Sequence, residues 1–201
     1  MILIIVRHGE SEANATAYLQ GQTPGSLTDK GHEQARQVGL RLRSFELDLI
    51  ISSDLKRAYD TAGHIAAITG AQLETSARVR EWHIGELDGQ PRLQFKRAIE
   101  ELNGPLACFR PPGGESFGEL RQRAASFLSD VIQEHKDKTV LLCTHGDFSK
   151  MLLGVAMNKT IEEALGVILD NCSVSILNLD DTDQWTIEVL NSTDHLMKKR
   201  G

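Results

Sequence analysis

The residues Ile2-Leu3-Ile4-Ile5-Val6 form an unbroken apolar run that stops at Arg7 and His8. A half-exposed strand alternates apolar and polar side chains, so an unbroken run reads as a strand covered on both faces. The pattern recurs at Asp48-Leu49-Ile50-Ile51-Ser52 and at Thr139-Val140-Leu141-Leu142-Cys143. Two-sided burial requires helices above and below the sheet, and the intervening sequence supplies them. Ala35, Val38 and Leu42 after Thr28 share one helical face, as do Leu55, Ala58, Ala62 and Ile65. Phe117, Leu120, Ala124, Phe127, Leu128 and Val131 mark a longer helix, opened by Ser116 and Glu119 in capping-box spacing. Phe148, Met151, Leu152 and Val155 mark another. Residues 173–179 and 185–190 read as two later strands, an antiparallel pair around Asp180-Asp181. Buried strands alternating with amphipathic helices predict an α/β fold around a mainly parallel sheet.

The length of 201 residues suits one domain with a sizeable core. Gly85 to Ser116 holds most of the prolines and reads as a loop-rich excursion with one helix near 93–102. A net charge of −6 argues against a nucleic-acid partner, which would usually meet a basic face, but allows an anionic ligand in a locally positive pocket. Cys108, Cys143 and Cys172 are odd in number and widely separated, so they read as reduced thiols of a cytoplasmic protein, with Cys143 in the core. The first apolar run is too short for a signal segment or a membrane span. Lys198-Lys199-Arg200 reads as a solvated basic tail. No histidine pair has metal-binding helical spacing, so no metal is expected.

Three buried strands run into polar residues of related kind. The first meets Arg7-His8-Gly9. The second meets Ser52-Ser53-Asp54, with Arg57 one turn into the next helix. The third meets Thr144-His145-Gly146. Ligands of parallel α/β sheets bind beyond the carboxyl ends of the strands, so two histidines and two arginines should converge on one edge. Arginine suits forked contact with phosphate oxygens, and a helix N-terminus adds N–H donors. A neutral imidazole can attack phosphorus through one nitrogen while a carbonyl holds the other N–H. The glycine after each histidine fits a close approach of backbone to ligand.

Arg7-His8-Gly9-Glu10-Ser11 through Asn14 resembles the signature of the histidine phosphatase superfamily, also called the phosphoglycerate mutase-like family. Further motifs follow in family order: Gln20-Gly21, Leu27-Thr28 with Gly31 and Gln34-Ala35, and Ser52 through Ala58 with Thr61-Ala62. Arg80-Glu81 with Gly85-Glu86 and Gly89 comes next, then Pro112-Gly113-Gly114-Glu115-Ser116 and Thr144-His145-Gly146. The resemblance implies a three-layer α/β/α sandwich spanning 1–201 as a single domain, with no metal or other cofactor. It implies His8 as the phosphorylated nucleophile, with Arg7, Arg57 and His145 forming the phosphate pocket around it. Glu81 would be the proton donor to the leaving oxygen and then the base for water, with Glu86, Asp88 and Glu115 as alternative acids. Asn14, Gln20 and Gly21 would line the substrate side. His83 is either a substrate contact or a plain loop residue.

Four departures bear on specificity: Pro24 and Ser26 before Leu27-Thr28, Leu87 in place of an aromatic, and Asp147 where a small residue is usual. Asp147 would either put a negative charge beside the pocket or face away as a helix cap. The expected activity is hydrolysis of a small phosphorylated metabolite through a phosphohistidine. A phosphoglycerate mutase is the alternative, disfavoured by the modest segment between Glu81 and His145. A phospho-ligand binding protein without turnover is the alternative of another class. The physiological substrate and the oligomeric state, a homodimer included, stay open.

Overall fold

The computed structural model describes residues 1–16 and 18–197; the basic tail expected at Lys198-Lys199-Arg200 lies outside them. The strands are β1 (Ile2–Arg7), β2 (Leu49–Ser52), β3 (Gln72–Thr75), β4 (Thr139–Thr144), β5 (Val174–Leu179) and β6 (Trp185–Ser192). The helices are α1 (Glu12–Thr16), α2 (Asp29–Leu42), α3 (Lys56–Thr69), α4 (Arg92–Glu100), α5 (Phe117–His135), α6 (Gly146–Ala156) and α7 (Ile161–Leu165). The strands form one sheet in the order β3-β2-β4-β1-β5-β6. The first four run parallel, and β5 and β6 complete the sheet antiparallel.

Burial on both faces explains the unbroken apolar strands. Ile4, Val6, Ile50, Leu141 and Cys143 point to one side, where α2 and α3 present Val38, Leu42, Ala58, Ala62 and Ile65. Leu3, Ile5, Leu49, Ile51 and Leu142 point to the other, against Phe117, Leu120 and Phe127 of α5 and Phe148 and Met151 of α6. Each large apolar side chain buried this way contributes about 1.5–3 kcal/mol. The result is the expected α/β sandwich with helices on both faces.

Register levels the strand ends. Val6 pairs with Cys143, Arg7 with Thr144, and Ser52 with Cys143. The three polar strand ends therefore lie on one edge. Because β5 is antiparallel to β1, its beginning returns to that same edge, with Val174 opposite Val6.

The excursion over 85–116 contains α4, starting one residue before and ending two before the expected helix, between short 3₁₀ turns at Gly85–Leu87 and Leu106–Cys108. Aromatic side chains hold it down. The Trp82 ring stacks on Phe117 with centroids 4.2 Å apart, and Phe95 and Phe109 close around the pair. Among the described residues no helix is long and apolar enough to cross a membrane.

Candidate active site

His8 follows β1 and is buried. Its Nδ1 lies 2.7 Å from the Gly9 carbonyl, which makes that nitrogen the N–H donor and leaves the Nε2 lone pair free of the proton. That Nε2 accepts a hydrogen bond from Nε of Arg57 at 3.2 Å. Burial first, then the positive charges of Arg57 and Arg7, push the His8 pKa well below the ordinary imidazole value. The neutral ring is thus the stable form. The backbone around it is tied down. Gly9 N–H donates to the Thr61 hydroxyl at 3.0 Å, and Asn171 Nδ2 donates to the His8 carbonyl at 3.0 Å.

Gly9 serves a different purpose from the one expected. A Cβ there would lie 2.5 Å from the Gly31 carbonyl oxygen, so the glycine permits close packing of two backbone segments, not an approach to ligand. Gly146 has more room: the nearest atoms to a Cβ there, Arg7 Nε and Glu81 Oε2, lie at ordinary contact distances of 3.6 and 3.7 Å.

Arg57, in the first turn of α3 at the strand-end edge, is only 1% exposed, because residues 20–23 fold over it. Its Nη2 and Nη1 donate to the carbonyls of Gly21 at 2.7 Å and Thr23 at 3.2 Å. Burial lowers its pKa to about 10, which leaves it charged at neutral pH. Arg7 donates through Nη1 to the Leu169 carbonyl at 2.6 Å. Its Nε is buried without a hydrogen-bond partner, and so are both ring nitrogens of His145. The His145 ring stands edge-on to His8 with centroids 5.1 Å apart. Its pKa is also driven well down, by burial and then by Arg57.

Glu81 is buried at the start of α6. Oε1 accepts from the backbone N–H groups of Trp82 at 2.9 Å and of Asp147 and Phe148 at 3.1 Å each. Desolvation and then the nearby Asp147 carboxylate raise its pKa, against the opposing pull of those N–H groups and of Arg57. The alternative acids are engaged elsewhere or exposed. Glu115 pairs with Arg123, Asp88 accepts from the loop over Arg57, and Glu86 is exposed. Asp147 borders the cavity, paired with Lys150 at 3.0 Å. His83 is exposed and outside it.

A cavity of about 400 Å³ opens over this edge, lined by Arg7, His8, Glu81, Asn14 and Gln20, with Arg57 and His145 buried beneath. Its rim adds Arg92 and Lys150, two cations the sequence reading passed over. Gly21 is placed otherwise than expected. Its carbonyl is taken by Arg57, and a Cβ would collide with Ile84, so it packs behind the cavity and does not line it. Two further residues escaped the sequence reading. Asn171, just before β5, also donates to Asn14 Oδ1 at 3.0 Å, which binds the substrate-side asparagine to the His8 strand end. Arg123 of α5 donates to the carbonyls of Arg78, Arg80 and Glu81 at 2.9, 2.7 and 3.2 Å, fixing the segment that carries the acid. Only the antiparallel return of β5 could have pointed to Asn171. Arg123 had a faint signal, a charge flanking the buried stripe of α5. Among the described residues no cluster of three or more His, Cys, Asp or Glu side chains could hold a metal.

Cationic and N–H donors aimed at a concave edge, a neutral histidine with an unprotonated Nε2 and a carboxyl held toward protonation form a constellation suited to phosphoryl transfer. The family model of the histidine phosphatase superfamily (branch 1) matches residues 3–193, and the chain belongs to that superfamily. It is by family a histidine-type phosphomonoesterase. The chain is 33% identical over 203 aligned positions to phosphoglycerate mutase-like protein 4 of Arabidopsis thaliana, covering 96% of this chain and 86% of that one. It is equally 33% identical to a probable phosphoglycerate mutase of Salmonella choleraesuis, covering 96% and 93%. Among solved structures, a mycobacterial glucosyl-3-phosphoglycerate phosphatase superposes with a TM-score of 0.83 at 26% identity, covering 96% of this chain and 99% of that one. A phosphoserine phosphatase from Entamoeba histolytica in complex with 3-phosphoglyceric acid gives 0.86 at 25%, covering 98% and 99%.

Proposed function

We propose that this protein hydrolyses a small phosphorylated metabolite through a phosphohistidine on His8. The observation that carries the reading is the Nδ1 contact with the Gly9 carbonyl, which fixes the tautomer and leaves Nε2 as the nucleophile facing the buried arginine. Nε2 attacks phosphorus, and the bond to the leaving oxygen breaks as Glu81 gives it a proton. Arg7, Arg57 and His145 hold the phosphoryl oxygens, which satisfies Arg7 Nε and the N–H of His145, otherwise buried without partners. Water then attacks the phosphohistidine, its proton passes to Glu81, and inorganic phosphate leaves. Such acid–base assistance contributes about 10²–10⁴-fold. Asn14 and Gln20 would face the leaving group from the cavity wall. Neither metal nor cofactor enters these steps, and the free thiols of Cys108, Cys143 and Cys172 favour a reducing, cytoplasmic setting.

The phosphatases among the solved structures support hydrolysis, as does the short excursion carrying α4. The curated relatives bearing the mutase name support a second reading, phosphoryl exchange between positions of a phosphoglycerate. Incubation with an aryl phosphate and a panel of phosphorylated metabolites, then with 3-phosphoglycerate plus a bisphosphoglycerate primer, separates them. Release of phosphate is expected. Isomerisation without release would establish the mutase, and binding with neither would leave a phospho-ligand binding protein.

A further inference from the structure

On the reading that Arg57 grips the transferred phosphoryl group, we propose that Asp88 is the positioning residue for Arg57, acting through the backbone of residues 21–23. Two guanidinium nitrogens of Arg57 are held by carbonyls, Nη2 by Gly21 at 2.7 Å and Nη1 by Thr23 at 3.2 Å. A carbonyl and the following N–H belong to one planar trans peptide and point in opposite directions. The peptide whose oxygen meets Arg57 at Gly21 therefore turns its N–H, that of Gln22, the other way. That N–H donates to Asp88 Oδ2 at 3.1 Å. One rigid peptide plane thus stands between the carboxylate and the guanidinium.

The neighbouring donors converge on the same carboxylate. Gly21 N–H donates to Asp88 Oδ1 at 3.0 Å, Thr23 N–H to Oδ2 at 3.1 Å, and the Thr23 hydroxyl to Oδ1 at 2.8 Å. Successive N–H groups converging on one anion make a backbone nest. The anion polarises the Gly21–Gln22 peptide so that the Gly21 carbonyl becomes a stronger acceptor for Arg57; the Thr23 carbonyl belongs to the Thr23–Pro24 peptide, which has no N–H, so Asp88 places it by holding the Thr23 N–H and hydroxyl. The loop has little freedom to find another pose, since a Cβ at Gly21 would lie 2.6 Å from Ile84 Cγ1 and 2.9 Å from the Trp82 carbonyl. Gln22 Nε2 also donates to the Glu81 carbonyl at 2.9 Å, tying the same loop to the acid segment. Asp88 does not line the cavity, so its influence on the reaction runs through Arg57.

Asp88→Asn replaces an anion that receives four donors with a group that itself donates. Affinity for inorganic vanadate and for phosphate, measured by titration calorimetry on the full chain alongside turnover of an aryl phosphate, reads the consequence without relying on turnover alone. The variant should bind vanadate at least about tenfold more weakly, with a smaller loss for phosphate. In an Arg57→Ala background the same substitution should cost less than about twofold, because residues acting as a unit are not additive. Thr23→Val, which removes one donor, should lose about two- to threefold in vanadate affinity and nothing further without Arg57; this milder change keeps the test open if Asp88→Asn does not fold. Unaltered vanadate binding, or equal losses with and without Arg57, would overturn the assignment. If the wild type neither binds vanadate nor cleaves the ester, the phosphate-pocket reading falls and the assignment falls with it. A wild type active in both assays with an unaffected Asp88→Asn variant sinks the assignment alone.

Discussion

At the scale of single residues, burial sets two protonation states against their solution habits. His8 is held neutral to lower pH than an ordinary imidazole, and Glu81 is held protonated to higher pH than an ordinary carboxyl. The nucleophile must be neutral and the acid protonated, so both shifts widen the range in which the two states coexist. His8→Ala should abolish acid-labile labelling by substrate phosphate, and persistent label would move the nucleophile elsewhere. Glu81→Gln should slow esters with poor leaving groups by about 10²-fold or more and activated aryl esters much less. Equal losses would remove Glu81 from the role. Asp147 is the second-largest cause of the raised Glu81 pKa, so Asp147→Asn should move the alkaline limb of the kcat/KM profile to lower pH. A stationary limb would detach that limb from Glu81. The pocket residues named by motif do gather on one edge. Gly21 was misassigned because a loop glycine beside a pocket looks the same in sequence whether it faces ligand or packs behind it.

At the scale of elements, α5 does two jobs. Its apolar stripe closes one face of the sheet, and its Arg123 gathers the carbonyls of the segment leading out of the 3₁₀ turn at Ala77–Val79 to Glu81. Arg123→Met keeps the stem and loses the donors. It should lower kcat more than it raises KM, a split read from saturation kinetics with a melting curve as control. The same helix opens on a complete capping box, Ser116 with Glu119. Ser116→Ala should cost about 1 kcal/mol, measured by denaturant unfolding. Elements whose burial is one-sided or complete were legible: α3, α5 and α6 by stripe, β1, β2 and β4 by unbroken runs. Edge strand β3 was not, because Gln72, Glu74 and Thr75 are exposed and give neither period. The five-residue helices α1 and α7 are too short to show a repeat. Arg57 illustrates the limit of stripe reasoning: a residue off the apolar face of α3 is still buried, because a distant loop covers it.

At the scale of the whole molecule, an acidic chain of net charge −6 encloses a cavity rimmed by Arg7, Arg92 and Lys150. The burial of neutral His8 and His145 makes the fold acid-sensitive in a definite window. Both folded pKa values lie well below the ordinary value of 6.5, so the unfolded chain binds more protons as pH falls through about 6.5. Stability is full above that pH and should decline below it, by up to about 1.4 kcal/mol per pH unit for each ring. His145→Asn should flatten the decline seen in urea unfolding between pH 7 and 5; an unchanged slope would assign it to other groups. The convergence of three strand ends was legible at this scale, but the contribution of Asn171 required the direction of β5. The placement of β1 has one more consequence, for the chain as it is made. The strand β1, which precedes its partners by more than a hundred residues, pairs with β4 on one side and β5 on the other, with Ile2 set against Thr139 and Asn178. Its Ile4 and Val6 face can pack early on α2 and α3, but both its edges stay unpaired, and its Leu3 and Ile5 face stays uncovered by α5, until residues well beyond the middle of the chain have been made, a strand order that prolongs exposure of an aggregation-prone segment.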